Sequence, residues 1–139
     1  MSAAVMVAID AHVAENWNYT PIIAPNGDAS GPDDGSAWLE VQYPVASERM
    51  LTTGDPGNNY WREEGGVRVV LMVPLGIGLN DPAAPWMTRI DELRAALRGK
   101  KISDIVTYEA SPAIIGDTNE SGGHFELSFT VEYQYDVTG

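Results

Sequence analysis

His124-Phe-Glu-Leu-Ser-Phe-Thr-Val-Glu-Tyr-Gln-Tyr-Asp-Val137 alternates without a break. Phe125, Leu127, Phe129, Val131, Tyr133, Tyr135 and Val137 take the odd positions, and Glu126, Ser128, Thr130, Glu132, Gln134 and Asp136 the even ones. A strand sends successive side chains to opposite faces. The stretch therefore predicts one long β-strand with a dry odd face and a wet, acidic even face. A strand this regular is expected to be tied into a sheet rather than frayed.

The rest of the sheet is sought by the same pattern. Val67 to Pro74 carries Val69-Val-Leu-Met-Val73 without alternation, which predicts a central strand covered on both faces. Trp38 to Tyr43 alternates, Pro44 interrupts it, and Val45 to Leu51 continues as a bent strand. Tyr19 to Ala24 holds Pro21 and reads as an edge or irregular strand, because proline cannot donate to a ladder. Ile102 to Tyr108 and Ala113 to Ile115 are two further short candidates. Pro25 to Ala37 and Asp117 to Gly123 have turn chemistry. Thr52 to Gly66, rich in glycine, proline and asparagine, reads as a long loop carrying Tyr60, Trp61 and Arg62 that could order on assembly.

Two helices are expected. Residues 2–15 have Ser2 as a cap and Val5, Ile9 and Val13 at helical spacing. The second runs from Pro82 to about Arg98, with Asn80 or Asp81 as cap, Gly99 as stop, and Trp86, Ile90, Leu93 and Leu97 as an apolar stripe. The order α-β-β-β-α-β-β-β gives an α+β class: one domain over residues 1–139, an antiparallel or mixed sheet, and two α-helices packed on one face.

Composition narrows the function. A formal net charge of −12, from 20 acidic and 8 basic residues, argues against direct nucleic-acid recognition, which needs a basic surface. The absence of cysteine excludes disulfides, thiolate catalysis and cysteine-held metals. No stretch approaches the length of a membrane span, and the apolar start lacks the basic residues of a signal peptide, so synthesis and residence in a cytoplasm are expected, with no membrane partner.

Chemical motifs are weak. Gly76-x-Gly78 lies between a strand and a helix but lacks a third glycine, and Asp81 stands where a phosphate would bind. His12 and His124 read as solvated, as do Glu63 and Glu64, whose adjacent side chains would point opposite ways on an extended chain. Asp28, Asp33 and Asp34 lack the spacing of a calcium loop, and Ser47, Ser103 and Ser111 lack a nucleophile-elbow context. No cofactor, metal or catalytic residue is assigned, and no enzymatic activity is expected.

The charge distribution carries more. Residues 81–101 hold five basic and three acidic side chains, a net of +2, which leaves −14 on the remainder. Arg89, Arg94, Arg98, Lys100 and Lys101 are either the wet side of an amphipathic helix or a contact between copies, because a basic patch on an acidic subunit can bind head to tail. Tyr60, Trp61 and Arg62 suit the same contact, since aromatic side chains are favoured anchors; Trp61 could equally fold back into the core.

The layout Asn16-Trp-Asn-Tyr-Thr-Pro-Ile-Ile-Ala-Pro-Asn-Gly27, then Trp38-Leu-Glu-Val41, then Gly66-Val-Arg-Val-Val-Leu-Met-Val-Pro-Leu-Gly-Ile-Gly78, one amphipathic helix and a long polar–aromatic strand resembles the tail terminator proteins of long, non-contractile-tailed bacteriophages and related prophages. The resemblance implies a small α+β subunit of a hexameric ring in the virion. The ring would cap the head-proximal end of the tail tube, stop its polymerisation and meet a head-completion, or stopper, protein. Implied partners are other copies of the chain, the tail-tube protein and that stopper, with DNA passing through the ring. Two alternatives stand beside it: another head–tail connector or tail-tube subunit, and a small-molecule binding module with a pocket between helix 82–98 and the sheet at Gly76-x-Gly78 and Asp81.

Overall fold

The computed structural model describes residues 1–23, 25, 35–76, 78–115 and 124–139. The turn expected over Asp117 to Gly123 and the acidic residues Asp28, Asp33 and Asp34 lie outside the described residues. The elements run α1 (Ala3–Asn16), β1 (Ile22–Ile23), β2 (Trp38–Met50), β3 (Tyr60–Pro74), α2 (Trp86–Leu97), β4 (Lys101–Ile102), β5 (Ile105–Ala110), β6 (Ile114–Ile115) and β7 (His124–Thr138). Among the described residues the sheet has seven strands in the order β1-β2-β3-β7-β5-β4, with β6 also on β7. β1 pairs with β2 in parallel and the other pairings are antiparallel, so the sheet is mixed and the fold is α+β, as expected.

β7 is the strand around which the sheet is built. It pairs with β3 from Tyr60↔Thr138 to Pro74↔His124 and with β5 and β6 along its other side. Leu127, Phe129, Val131 and Tyr133 are buried, which settles the odd face as the inner one. They meet Val67, Val69, Leu71 and Val73 of β3 and Leu39 and Val41 of β2 in one core, closed by Val5, Ile9 and Val13 of α1 and Trp86, Ile90, Leu93 and Leu97 of α2. Both helices therefore lie on the odd face. On the other face Trp38, Val70 and Met72 form a second, smaller cluster. The doubly covered strand read from Val69–Val73 is correct for this reason.

The even face of β7 is not uniformly wet. His124 and Ser128 are buried at its start, and the acidic side chains farther along are mostly paired. Arg68 binds Glu126 at 2.7 Å, and Arg62 grips both carboxylate oxygens of Asp136 at 2.8 and 2.9 Å.

Three local expectations change. β3 starts at Tyr60, so the long loop shrinks to residues 51–59 and Tyr60, Trp61 and Arg62 are strand residues, ordered within the single chain. Asp81 caps a turn rather than a helix: its Oδ1 accepts from Ala83 N–H at 2.8 Å and its carbonyl from Ala84 N–H at 2.9 Å, and α2 begins only at Trp86. The strand expected over 102–108 is a hairpin, β4 and β5 joined at Ser103 and Asp104, with Ser103 in the left-handed region at φ 56.

Proline and glycine shape the β2–β3 pair. The register runs Gln42↔Arg68 and resumes at Val45↔Gly66, one extra residue on β2. That bulge absorbs Pro44, which has no N–H to give. Gly65 lies directly opposite Tyr133. A Cβ on Gly65 would meet the Val45 carbonyl oxygen at 2.3 Å and the Tyr133 hydroxyl at 2.8 Å. Glycine is thus required by a ring crossing the strand, not by a turn.

Candidate interaction surface

The sheet is longer than the helices that cover it. Fifteen residues of β3 at about 3.3 Å each reach roughly 50 Å. Fourteen residues of α1 at about 1.5 Å each span roughly 21 Å. Beyond the Pro44 bulge, β2, β3 and β7 continue as an arm, with β5 still paired to β7 over residues 133–135, and residues 44–50 of β2 are exposed. Val45, Met50, Leu51, Tyr60 and Val137 are exposed apolar side chains of this arm and its loop. Met50, Trp61 and Val137 lie side by side across its three strands.

The arm is nevertheless held firmly. Glu63 is buried midway along it, where both oxygens accept from the Ser2 N–H, at 3.0 and 3.2 Å, and Oε2 accepts from the Tyr133 hydroxyl at 2.6 Å. A carboxylate there also faces the positive end of α1. Burial, and then the hydrogen bond to Glu63, push the Tyr133 hydroxyl well above the usual tyrosine range. Tyr43 is raised likewise, by burial and by its 2.6 Å bond to Asp10. The Glu63–Glu64 pair expected to be solvated is thus split: Glu63 is a tether, and Glu64 stays outside. At the tip, Trp61 Nε1 donates to the Gly139 carbonyl at 3.0 Å. The Arg62 hydrogen bonds hold Asp136 below the ordinary carboxylate range and raise Arg62 in turn.

The five basic residues expected on one helix face are not equivalent. Arg89 stacks its guanidinium on Tyr19, at 4.4 Å, and on Trp86, at 4.8 Å. Arg94 is mostly buried, with 19% of its side chain exposed and a distant 3.9 Å contact to Asp91; its Nε is buried with no partner among the described residues. It belongs to the packing of α2, not to a free basic face. Arg98, Lys100 and Lys101 are exposed, on a tight turn fixed from below. Gly99 takes φ 59 and donates to the Tyr108 carbonyl at 2.9 Å. Lys100 N–H donates to Thr107 Oγ1 at 2.8 Å, and the buried Thr107 hydroxyl donates to the Leu97 carbonyl. Among the described residues Arg89, Arg98, Lys100 and Lys101 make no ion pair, whereas the other four basic residues do.

Both histidines prove structural. His12 Nε2 lies 2.8 Å from the Ala96 carbonyl, joining α1 to α2, and His124 Nε2 lies 3.0 Å from the Gly35 carbonyl with its ring edge-on to Trp38. A carbonyl can only accept, so each Nε2 carries the proton. No group of three His, Cys, Asp or Glu side chains able to hold a metal occurs among the described residues. No helix there is long and apolar enough to cross a membrane. The space between α2 and the sheet, the place of the pocket in a small-molecule binding module, is filled by Trp86, Ile90, Leu93 and Leu97. A small hollow of about 210 Å³ near Gly76 and Gly78 is lined by apolar residues, without Asp81.

The prominent surface feature among the described residues is thus exposed sheet. No family model and no curated protein matches the chain. Solved structures do match its fold. One chain of unstated function is 13% identical, with 91% of this chain and 92% of that one aligned at a TM-score of 0.56. Another is the sheath/tube terminator of PVC, an extracellular contractile injection system, in its extended state. It is 12% identical, with a TM-score of 0.52 over 100% of this chain and 58% of that one. At these identities the likeness is one of fold: this chain has the fold of a tail terminator and spans a little over half that terminator's length.

Proposed function

We propose that this chain is a structural tail-terminator subunit. It assembles with its own copies into a ring, six-fold on the phage layout, at the head-proximal end of a tail tube. There it stops tube growth and offers a surface to the head-completion protein, as a virion component without catalytic activity. The observation that carries this reading is the fold shared with a sheath/tube terminator over the whole of the chain. The uncovered arm and the unpaired cations at 98–101 support it, because both are surfaces that a lone subunit leaves unused. The neighbour belongs to a contractile particle and the sequence layout resembles non-contractile phages; what the two share is closure of a tube.

The test is polymerisation. Tail-tube protein of the same particle, assembled with increasing amounts of this chain, should give tubes of arrested length bearing a ring at one end in electron micrographs. Light scattering of the chain alone should show concentration-dependent assembly. A chain that stays monomeric at high concentration and leaves tube length unchanged defeats the proposal.

A further inference from the structure

Resting on the ring reading, we infer that a groove on the outer face of the arm is the seat for the basic turn 98–101 of a neighbouring copy. The groove encloses about 510 Å³. Its floor is Gly66, which leaves it open for want of a side chain, and its walls are Val45 on β2 and Tyr108 on β5. Glu64 and Glu132 reach into it. Glu132 lies directly across from Gly66 and makes no hydrogen bond or ion pair among the described residues. Glu64 has only a 3.4 Å contact with Arg49, both side chains being about half exposed or more. The groove is therefore acidic and unsatisfied, and wide enough for a lysine or arginine side chain beside the Tyr108 ring.

The occupant follows from charge and from position. Arg98, Lys100 and Lys101 form the exposed cationic cluster of an otherwise acidic chain, and none reaches Glu64 or Glu132 within 4.0 Å in its own subunit. The turn projects at the β4 edge of the sheet, pinned by Thr107. The groove crosses the outer face from Val45 and Ser47 on β2, which beyond the bulge lacks a further partner because β1 pairs only with Leu39 and Glu40, to Tyr108 on β5, whose carbonyl anchors the turn through Gly99 N–H. Knob and seat are different patches, so a contact between copies through them is heterologous, the kind that closes into rings when the rotation allows. Both parts are rigid beforehand, so docking loses little conformational freedom.

The test is charge exchange. Glu64→Lys with Glu132→Lys reverses the groove, and Lys100→Glu with Lys101→Glu reverses the turn. Either variant alone should weaken self-association, read by sedimentation velocity, by roughly a hundredfold, as like charges then face each other. Mixing the two variants, or combining all four changes in one chain, should restore assembly; the combined chain should not join unmodified subunits. The milder Glu64→Gln with Glu132→Gln should show a smaller loss with unaltered melting, which guards against a folding defect. Reversals that shift melting but not association, or a mixture that fails to recover, overturn the seat. So does a groove variant that assembles normally and loses only tail-tube binding. If the unmodified chain assembles while these outcomes occur, the seat falls and the ring stands; if it never assembles, the ring reading falls first.

Discussion

Gly65→Ala should be among the most damaging single-methyl additions in this protein. The new Cβ would lie 2.3 Å from the Val45 carbonyl oxygen, 2.8 Å from the Tyr133 hydroxyl and 2.9 Å from Tyr133 Cε1. The first of these atoms is backbone and cannot swing aside, so β2 and β3 must part where the bulge already weakens their ladder. Forcing a methyl group into a packed site costs about 1–3 kcal/mol. Displacing the Tyr133 ring also breaks its 2.6 Å bond to Glu63, a hydrogen bond to a buried carboxylate, worth about 1.5–3 kcal/mol. The sum, about 2.5–6 kcal/mol, corresponds to a fall in melting temperature on the order of 10 °C for a chain of this size.

The neighbouring glycine is the control. A Cβ on Gly66 meets Thr130 Cγ2 at 3.4 Å, an ordinary contact, so Gly66→Ala should be neutral or slightly stabilising through the unfolded chain. Urea titrations of both variants and of Tyr133→Phe, at one protein concentration, separate the contributions. If Gly65→Ala acts by moving Tyr133, the double variant Gly65→Ala/Tyr133→Phe should cost less than the two single changes added together. Equal stability of the two alanine variants would refute the claim that Tyr133 crosses the strand at Gly65.

Phe129→Ala should destabilise by about 3–5 kcal/mol, because the ring is 1% exposed at the centre of the inner face; a negligible shift in the urea midpoint would mean that the strand faces the other way. Arg94→Glu should lower stability by about 1–3 kcal/mol, since it sets a carboxylate in a mostly buried site, whereas Arg98→Glu on the exposed turn should leave melting nearly unchanged; thermal unfolding of the two compares them directly. Tyr43 and Tyr133 have folded pKa values above their unfolded ones, so their contribution is complete below about pH 10 and is lost as pH rises beyond it. Stability measured from pH 8 to 11 should fall more steeply in the native chain than in Tyr43→Phe/Tyr133→Phe, and parallel curves would disprove this.

The core was legible because alternation and helical spacing depend on burial alone, and Leu127, Phe129, Val131 and Tyr133 obey it. What escaped was set by contacts between distant residues. Gly65-Gly66 has the composition of a loop, and only the Tyr133 ring 68 positions away explains why glycine is needed in mid-strand. Glu63 looks solvated beside Glu64, because nothing local announces that Ser2 and Tyr133 will close over it. Asp81 has the signature of a helix cap because Asx turns and helix starts share the same side-chain bond. Of the basic residues, Arg98, Lys100 and Lys101 stand where spacing placed them, while Arg94 turned inward; a wheel drawn from sequence cannot distinguish a flanking position from a covered one. Glu132 was visible as an acidic residue of the even face, but its isolation depends on Gly66 lying opposite, which requires the register.

The same long-range contacts explain why the arm is ordered although its end, from Met50 and Tyr60 to Val137, stays exposed. Strands that leave much of their surface exposed gain little from apolar burial and need other ties. Here Glu63 joins it to the start of α1, Tyr133 lies over Gly65, Arg62 bridges to Asp136 and Trp61 reaches Gly139. Each is a tie along or across the strands, and none covers the exposed Val45, Met50 or Tyr60. Stiffness without cover is what an assembling surface needs: the ordering cost is met within the subunit, so more of the contact energy appears as affinity. Severing one tie should accordingly loosen association before it unfolds the chain. In Glu63→Gln the carboxamide keeps the shape but loses the charge that faces Ser2 and Tyr133. Hydrogen exchange should rise first in residues 60–66 and 132–138, with the core around Phe129 still protected, and assembly should weaken with it. Uniform loss of protection across arm and core would show that the arm is no separate unit and that its rigidity serves only the fold.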